Sequence, residues 1–172
     1  MMISQLLLPE LEQEAASTRK ILEIVPEDKL DFKPHDKSMA LGRLAGHVAE
    51  LLGWGTMTLQ TEVLEMSPDF KPFLPKSRKE ILDLFEKSLS EYRAALEKAT
   101  DADMAVIWSF KAGGKTIMSM PRSVVLRSMV MNHLIHHRAQ LGVYLRLNDV
   151  TLPGMYGPSA DEMKFWDAQT AK

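Results

Sequence analysis

Four long segments of the sequence repeat apolar residues with the period of an α-helix, and this repetition limits the fold more than any other feature. The segments cover about residues 4–25, 38–63, 77–99 and 121–147. Each places apolar side chains three or four positions apart, which gives a helix one apolar face. Helices of this kind bury that face against one another. The sequence therefore predicts an all-α fold with a four-helix bundle as its architecture.

Several residues mark where these helices begin. Ser38 is a candidate N-cap of the second helix. Ser77, followed three positions later by Glu80, has the pattern of a capping box at the third helix. Pro121 suits the first turn of the fourth helix, whereas Pro9 either starts the regular part of the first helix or bends it.

The helical period is lost between the third and fourth segments. Two mostly apolar runs, at 107–110 and 116–118, flank Lys111-Ala112-Gly113-Gly114-Lys115. Two short apolar runs around a glycine turn are typical of a β-hairpin. The sequence thus predicts a short hairpin before the last long helix.

The remaining segments are predicted to be connections and a tail. Residues 67–75 contain three prolines and are predicted to form a crossover loop. Ser159-Ala160-Asp161-Glu162 has the pattern of another capping box, which predicts a short helix reaching Trp166. Because no repeat or low-complexity linker divides the chain, residues 1–172 are predicted to form a single domain.

Charge and hydropathy exclude two classes of partner. The formal net charge is −2, and the basic residues are spread along the chain without interleaved aromatic residues. We therefore expect no binding to nucleic acid. No apolar run approaches the roughly 20 residues of a transmembrane helix, and the N-terminus lacks the pattern of a signal peptide. No membrane association and a cytoplasmic location are the resulting expectations.

The chain contains no cysteine. This excludes disulfides, thiolate ligands and a cysteine nucleophile. Any metal must be held by histidine, carboxylate, backbone or water. If thiol chemistry occurs, the thiol belongs to the substrate.

Three of the five histidines are candidates for a metal site. His133 and His137 are four residues apart and therefore share one face of the fourth helix. His47 falls on the apolar stripe of the second helix. His136 lies about 60° around the helix from His133, and His35 falls in a loop. Three imidazoles from two helices would form a metal site with open coordination positions.

The alternative is that these histidines are hydrogen-bonded core residues. Burying imidazoles without a shared partner is costly, which favours the metal site. Glu50 and Gln140 each lie one turn from a candidate ligand and could accept the second ring N–H. For Glu50 we favour the alternative of a solvated charge, and for Arg138 a structural ion pair.

Two tempting motifs are incomplete. Leu134 occupies the position where a zincin-type protease requires its glutamate. Gly114-Lys115-Thr116 resembles the end of a phosphate-binding loop, but Ser109 replaces the first glycine and no helix starts before Pro121. No Ser-His-Asp arrangement has a recognisable context.

The chain resembles the DinB-like family, also called the DinB/YfiT superfamily. The resemblance lies in residues 30–39, in 44–48 followed by Trp54, and most specifically in residues 130–141, which read VMNHLIHHRAQL. It implies an up-down-down-up four-helix bundle, a homodimer, and a nickel, zinc or iron ion held by three histidines. The matching positions are His47, His133 and His137. Family members of known activity include thiol-dependent transferases that use bacillithiol or mycothiol.

Three hypotheses for the function follow. The leading one is a metal-dependent enzyme that transfers a low-molecular-weight thiol to an electrophilic small molecule. The second is metal-assisted hydrolysis, with bound water as the nucleophile. The third is a non-catalytic binding or structural bundle. Trp54, Trp108 and Tyr144 are candidates for the wall of an apolar substrate pocket, with simple core residues as the alternative for each.

Overall fold

The structure is a computed structural model that describes residues 2–163. The helices are α1 (Ile3–Leu22), α2 (Leu41–Gln60), α3 (Arg78–Lys98), α4 (Asp101–Ala105), α5 (Arg122–Val125) and α6 (His133–Arg146). A π-helical segment (Leu126–Asn132) joins α5 to α6, and a 3₁₀ turn covers Glu27–Lys29. The strands are β1 (Val63–Met66), β2 (Ile107–Ala112) and β3 (Lys115–Pro121).

The helices form the body of the protein around one apolar core. Helix α2 packs against α3 and α6, and α1 packs against the same two helices. Among the largest fully buried side chains are Trp108, Tyr92 and Phe85. The mostly helical fold is confirmed, while the up-down-down-up order stays a prediction. Within residues 2–163, none of the helices combines the length and the apolar character needed to cross a membrane.

The β-structure is larger than the sequence predicted. Strands β2 and β3 pair as the predicted antiparallel hairpin, with Gly113 and Gly114 at φ values of 56° and 75° in its turn. Strand β1 pairs in parallel with β2 and makes a three-stranded mixed sheet. The predicted hairpin is confirmed, but the expectation that it would be the whole of the β-structure in an otherwise all-α fold was wrong. Strand β1 has only four residues and follows α2 closely, so its sequence carries too little periodicity to reveal a strand. Its pairing also depends on residues far along the chain.

The start of α2 also differs from the prediction. The amides of Leu41 and Gly42 donate hydrogen bonds to the carbonyls of Phe32 and Leu30, each over 2.8 Å. The backbone of the preceding loop thus satisfies the first turn of the helix. Ser38 lies outside the helix and does not cap it, so that prediction was wrong.

Other helix ends follow the sequence more closely. The Ser77 hydroxyl accepts a hydrogen bond from the Glu80 amide over 3.2 Å, as predicted. The Glu80 carboxylate accepts from the Lys76 amide, so the reciprocal half of the predicted box has shifted by one residue. Helix α1 runs through Pro9 from its start at Ile3.

The predicted tail helix begins where expected. The Ser159 hydroxyl accepts from the Glu162 amide over 3.2 Å, and the Ser159 amide donates to the Glu162 carboxylate over 3.1 Å. Helical residues follow at 160–163. The predicted end at Trp166 lies outside the described residues.

Gly55 is required by the packing of α2 against α3. A Cβ atom at this position would lie 2.5 Å from ring atoms of Tyr92, which is fully buried. We expect Gly55→Ala to lower the free energy of unfolding by about 1–3 kcal/mol, because the buried ring has no room to move. Urea unfolding monitored by circular dichroism measures the change.

Gly53 is the matched control on the same helix. A Cβ atom there would meet only the Ser88 Oγ, at 3.7 Å. Gly53→Ala should leave stability unchanged or raise it by up to about 1 kcal/mol, because alanine favours the helix. Equal effects of the two substitutions would contradict the packing explanation.

Candidate metal centre

The three predicted histidines lie together between α2 and α6. Helix α2 supplies His47, and α6 supplies His133 and His137. The ring centroids are 5.1 Å apart for His47 and His133, 4.7 Å for His47 and His137, and 4.6 Å for His133 and His137. One candidate ligand atom from each residue lies within 4.8 Å of the other two. This is a spacing that could hold one metal ion.

The second nitrogen of each imidazole faces an oxygen acceptor. The Nδ1 contacts are His47 with Glu50 Oε1 at 2.8 Å, His133 with the Met129 carbonyl at 3.3 Å, and His137 with Gln140 Oε1 at 2.7 Å. A carbonyl or carboxylate oxygen can only accept, so each Nδ1 carries the proton. In a neutral imidazole this leaves Nε2 with a free lone pair.

The lone pairs of the two α6 histidines converge. The Nε2 atoms of His133 and His137 are only 2.9 Å apart. If both are unprotonated they repel each other, and a cation between them removes the repulsion. Two nitrogens on a tetrahedral zinc ion lie about 3.4 Å apart, given Zn–N bonds of about 2.0–2.1 Å. A slight outward rotation of the rings therefore fits a divalent ion into this donor set.

The π-helical segment shapes the contact of His133. The His133 amide donates to the Val130 carbonyl. In a regular α-helix it would donate to Met129. The Met129 carbonyl instead accepts from the His133 imidazole. The apolar spacing had predicted one continuous α-helix through this region, so the π-helical segment was missed.

Burial keeps the two α6 histidines neutral. Burial lowers the pKa of His133, and the charge of His47 lowers it further. Burial also lowers the pKa of His137 to about 4, against a weaker upward effect of its hydrogen bond to Gln140. Neutral imidazole is the form that binds a metal ion.

Glu50 has two partners, and the interpretation as a solvated charge was wrong. Its side chain is 19% exposed and accepts from His47 Nδ1 and from Arg43 Nη2, the latter over 3.0 Å. Burial alone would raise the pKa of Glu50. The hydrogen bond from His47 and the charge of Arg43 outweigh burial and hold that pKa below its ordinary value. The carboxylate is therefore ionised.

Arg43 was missed by the sequence prediction. It precedes His47 by four residues and Glu50 by seven, which places the three residues on one side of α2. That spacing was the available signal. It does not reveal which of several nearby groups a long arginine side chain will bond.

The other histidines lie outside the cluster. His136 is exposed, with its ring centroid 4.9 Å from that of His137, and it is not among the three residues that could share an ion. His35 is exposed in the loop before α2. Both positions agree with the helical phase and loop assignment in the sequence.

The three aromatic residues predicted as candidates for a pocket wall differ in burial. Trp108 is fully buried, and its indole N–H donates to the Thr61 hydroxyl over 3.1 Å, so Trp108 is a core residue. Trp54 is half-buried on α2 and packs edge-on against Phe110 of β2, with ring centroids 5.7 Å apart. Tyr144 is half-buried. Only Trp54 and Tyr144 keep enough exposure for a pocket wall.

The low histidine pKa values predict acid sensitivity of the metal-free protein. The pKa of His137 is about 4 in the folded state, against about 6.5 in an unfolded chain. Between these values the unfolded chain binds more protons, so the free energy of unfolding falls as the pH drops from about 6.5 to about 4. His137→Gln should flatten this part of the profile, measured by urea unfolding of chelator-treated protein at several pH values.

His35→Gln supplies the control for that profile. His35 is exposed and away from the cluster, so its removal should leave the pH dependence unchanged. A profile that is as steep in His137→Gln as in the unsubstituted protein would show that this histidine is not the cause.

The fold and the site together define a class of protein that is mostly helical and carries a cluster of imidazoles between two of its helices. The DinB family model matches residues 1–171, and the chain belongs to the DinB family. It is 28% identical over 152 residues to the uncharacterized protein YrdA of Bacillus subtilis strain 168, covering 88% of this chain and 86% of YrdA.

Two solved structures resemble this one. A DinB-like protein from Bacillus cereus ATCC 10987 superposes with a TM-score of 0.66 at 29% identity, over 87% of this chain and 95% of that protein. The DinB-like protein YjoA from Bacillus subtilis gives a TM-score of 0.66 at 16% identity, over 88% and 98% of the two chains. The second likeness concerns the fold alone.

Proposed function

We propose that His47, His133 and His137 bind a divalent metal ion and that the protein is a metal-dependent enzyme. The observation that carries this proposal is the contact of all three Nδ1 atoms with oxygen acceptors, which leaves the Nε2 atoms free, in a cluster where one candidate ligand atom of each residue lies within 4.8 Å of the other two. Imidazole donors suit zinc, nickel and iron alike. Three protein ligands would leave coordination positions open, as in catalytic sites.

The chain's own residues prepare the site for such an ion. Neutral imidazoles contribute no charge, so a divalent ion would keep its full positive charge. Glu50, Gln140 and the Met129 carbonyl hold the rings by their N–H groups, which fixes tautomer and orientation. When bound, the ion would lower the pKa of a coordinated thiol or water.

The reaction we propose is transfer of a low-molecular-weight thiol to an electrophilic small molecule. The chain has no cysteine, so the sulfur must arrive with a substrate. In the transfer the sulfur bonds to the electrophilic carbon, the leaving group departs with the bonding electrons, and the thiol proton passes to solvent. The chain belongs to the DinB family. Because the resemblance to that family implies thiol-dependent transferases, it supports thiol transfer over hydrolysis.

Trp54 is the residue we propose for the apolar part of the electrophile. It follows His47 by seven residues on α2, which is about 10 Å along the helix on nearly the same face. Its half-buried ring and that of Phe110 form an edge-on pair. This pair would offer an apolar surface beside the metal centre.

A thiol-loss assay tests the proposed reaction. Protein purified without a metal-affinity column is loaded with zinc, nickel or iron(II) and given cysteine and 1-chloro-2,4-dinitrobenzene. We expect faster loss of free thiol with the loaded protein than with the metal-free protein or with loaded His133→Ala. Identical rates in all three would overturn the proposal, and ester hydrolysis without added thiol would favour the hydrolase alternative.

Other implications of the family resemblance stay predictions. They are the up-down-down-up helix order and a homodimer. The cytoplasmic location expected from charge and hydropathy also stays a prediction. Light scattering coupled to size-exclusion chromatography tests the dimer, because a dimer has twice the 19.4 kDa mass of the chain.

A further inference from the structure

We propose that Arg43 is a positioning residue of the metal centre that acts through Glu50 on His47. The proposal rests on the proposed function, since it concerns how firmly the site holds an ion. No sequence motif singles out Arg43, and it touches none of the three imidazoles by a hydrogen bond of its own among the described residues.

The three side chains form a chain of contacts along α2. Arg43 Nη2 donates to Glu50 Oε1 over 3.0 Å, and His47 Nδ1 donates to the same oxygen over 2.8 Å. The side chains of Arg43, His47 and Glu50 are 17%, 15% and 19% exposed. One carboxylate oxygen is therefore held by two donors from the same helix, in a largely desolvated place.

The contact with Glu50 leaves part of the Arg43 guanidinium without a hydrogen bond. Its Nη1 atom is buried and has no hydrogen-bond partner among the described residues. A buried N–H group without an acceptor destabilises a fold. By contrast, Arg93 at the surface places Nε and Nη2 on the two oxygens of Glu12. The Arg43 contact is thus suited to fixing Glu50 rather than to stabilising the fold.

Fixing Glu50 has a direct consequence for His47. A metal-binding imidazole depends on the partner of its second nitrogen for tautomer and orientation. Without Arg43, the Glu50 side chain would lose one of its two donors and could turn toward solvent. His47 would then be held less firmly beside His133 and His137, and the site would bind metal more weakly.

A double-substitution cycle on the full chain tests this path. Zinc affinity is measured by competition with a chromogenic chelator for Arg43→Met, Glu50→Ala and the combined variant. We expect Arg43→Met to weaken zinc binding about 10-fold, in the range of outer contacts of metal sites. It should cause no further loss once residue 50 is alanine, because no side-chain acceptor then links Arg43 to His47.

Two results would overturn the proposal. One is unchanged or tighter zinc binding in Arg43→Met. The other is the same 10-fold loss whether or not Glu50 is present, since Arg43 would then act on the site without Glu50. Arg43→Lys should recover part of the affinity, because a cation can still reach Glu50. Arg93→Met, which breaks an arginine–glutamate pair between α1 and α3, should leave zinc affinity unchanged.

Two further measurements separate the causes. Urea unfolding of the metal-free variants should give Arg43→Met only a small drop in midpoint, because Glu50 is 19% exposed and keeps the His47 donor. A drop as large as that of Arg138→Met, which breaks a fully buried pair, would indicate a structural role. If the unsubstituted chain binds none of zinc, nickel and iron(II), the proposed function fails and the role of Arg43 with it. If that chain binds zinc and Arg43→Met binds equally well, only the positioning role fails.

Discussion

His133→Ala is expected to weaken binding of a divalent metal more than about 100-fold. Loss of an outer contact alone typically weakens a metal site about 10- to 100-fold, and His133 would be a direct ligand. The Nε2 atoms of His133 and His137 are 2.9 Å apart. Alanine at position 133 therefore also leaves His137 without the second nitrogen donor of this pair. Competition with a chromogenic chelator measures the affinity for zinc and nickel.

His136→Ala is the matched control for this loss. The two histidines are three residues apart in the same part of the chain, but His136 is exposed and outside the cluster. Its removal should leave metal affinity within a factor of two or so, because it contributes no ligand. Similar losses in the two variants would show that the metal binds elsewhere on α6.

Arg138→Met is expected to lower the free energy of unfolding by about 3–5 kcal/mol, the cost of removing one partner from a buried ion pair. Arg138 and Glu14 are 3% and 6% exposed, with Nη2 and Oε2 2.7 Å apart. Arg138 Nη1 also donates to the Glu14 carbonyl and to the Thr18 hydroxyl, over 3.1 and 3.2 Å. The substitution would leave a buried carboxylate whose remaining donor is the Tyr156 hydroxyl.

Two comparisons decide whether the loss comes from the uncompensated charge. Adding Glu14→Gln to Arg138→Met should recover most of the stability, because no charge then remains buried. Lys79→Met breaks a pair with Asp83 whose side chains are 81% and 62% exposed. It should change stability by less than about 1 kcal/mol. A buried pair that costs no more than this surface pair would contradict the prediction.

The helices and the histidine cluster could be predicted because both depend on local spacing. Two imidazoles four residues apart share a face in any α-helix, and the same phase that buries Leu44 and Leu51 places His47 toward the core. A structural ion pair was also expected for Arg138, because an arginine more often has that role than a catalytic one. Its partner Glu14 could not be named, since the two residues are 124 positions apart.

The missed features depend on non-local or conformational detail. Strand β1 exists because it pairs with β2 more than forty residues later, which no short window shows. The π-helical segment changes the hydrogen bonding of Met129 without changing which apolar residues are buried. Glu50 and Arg43 were misjudged or missed because their roles follow from side-chain rotamers, which spacing alone does not fix.

The metal content of the full chain tests the central proposal most directly. Protein purified without a metal-affinity column is incubated with zinc, nickel or iron(II), desalted and analysed for bound metal. The three-imidazole site predicts one ion per chain for at least one of these metals, and none in a variant with alanine at positions 47, 133 and 137. Equal metal content in the two proteins, or none in the unsubstituted chain, would contradict it.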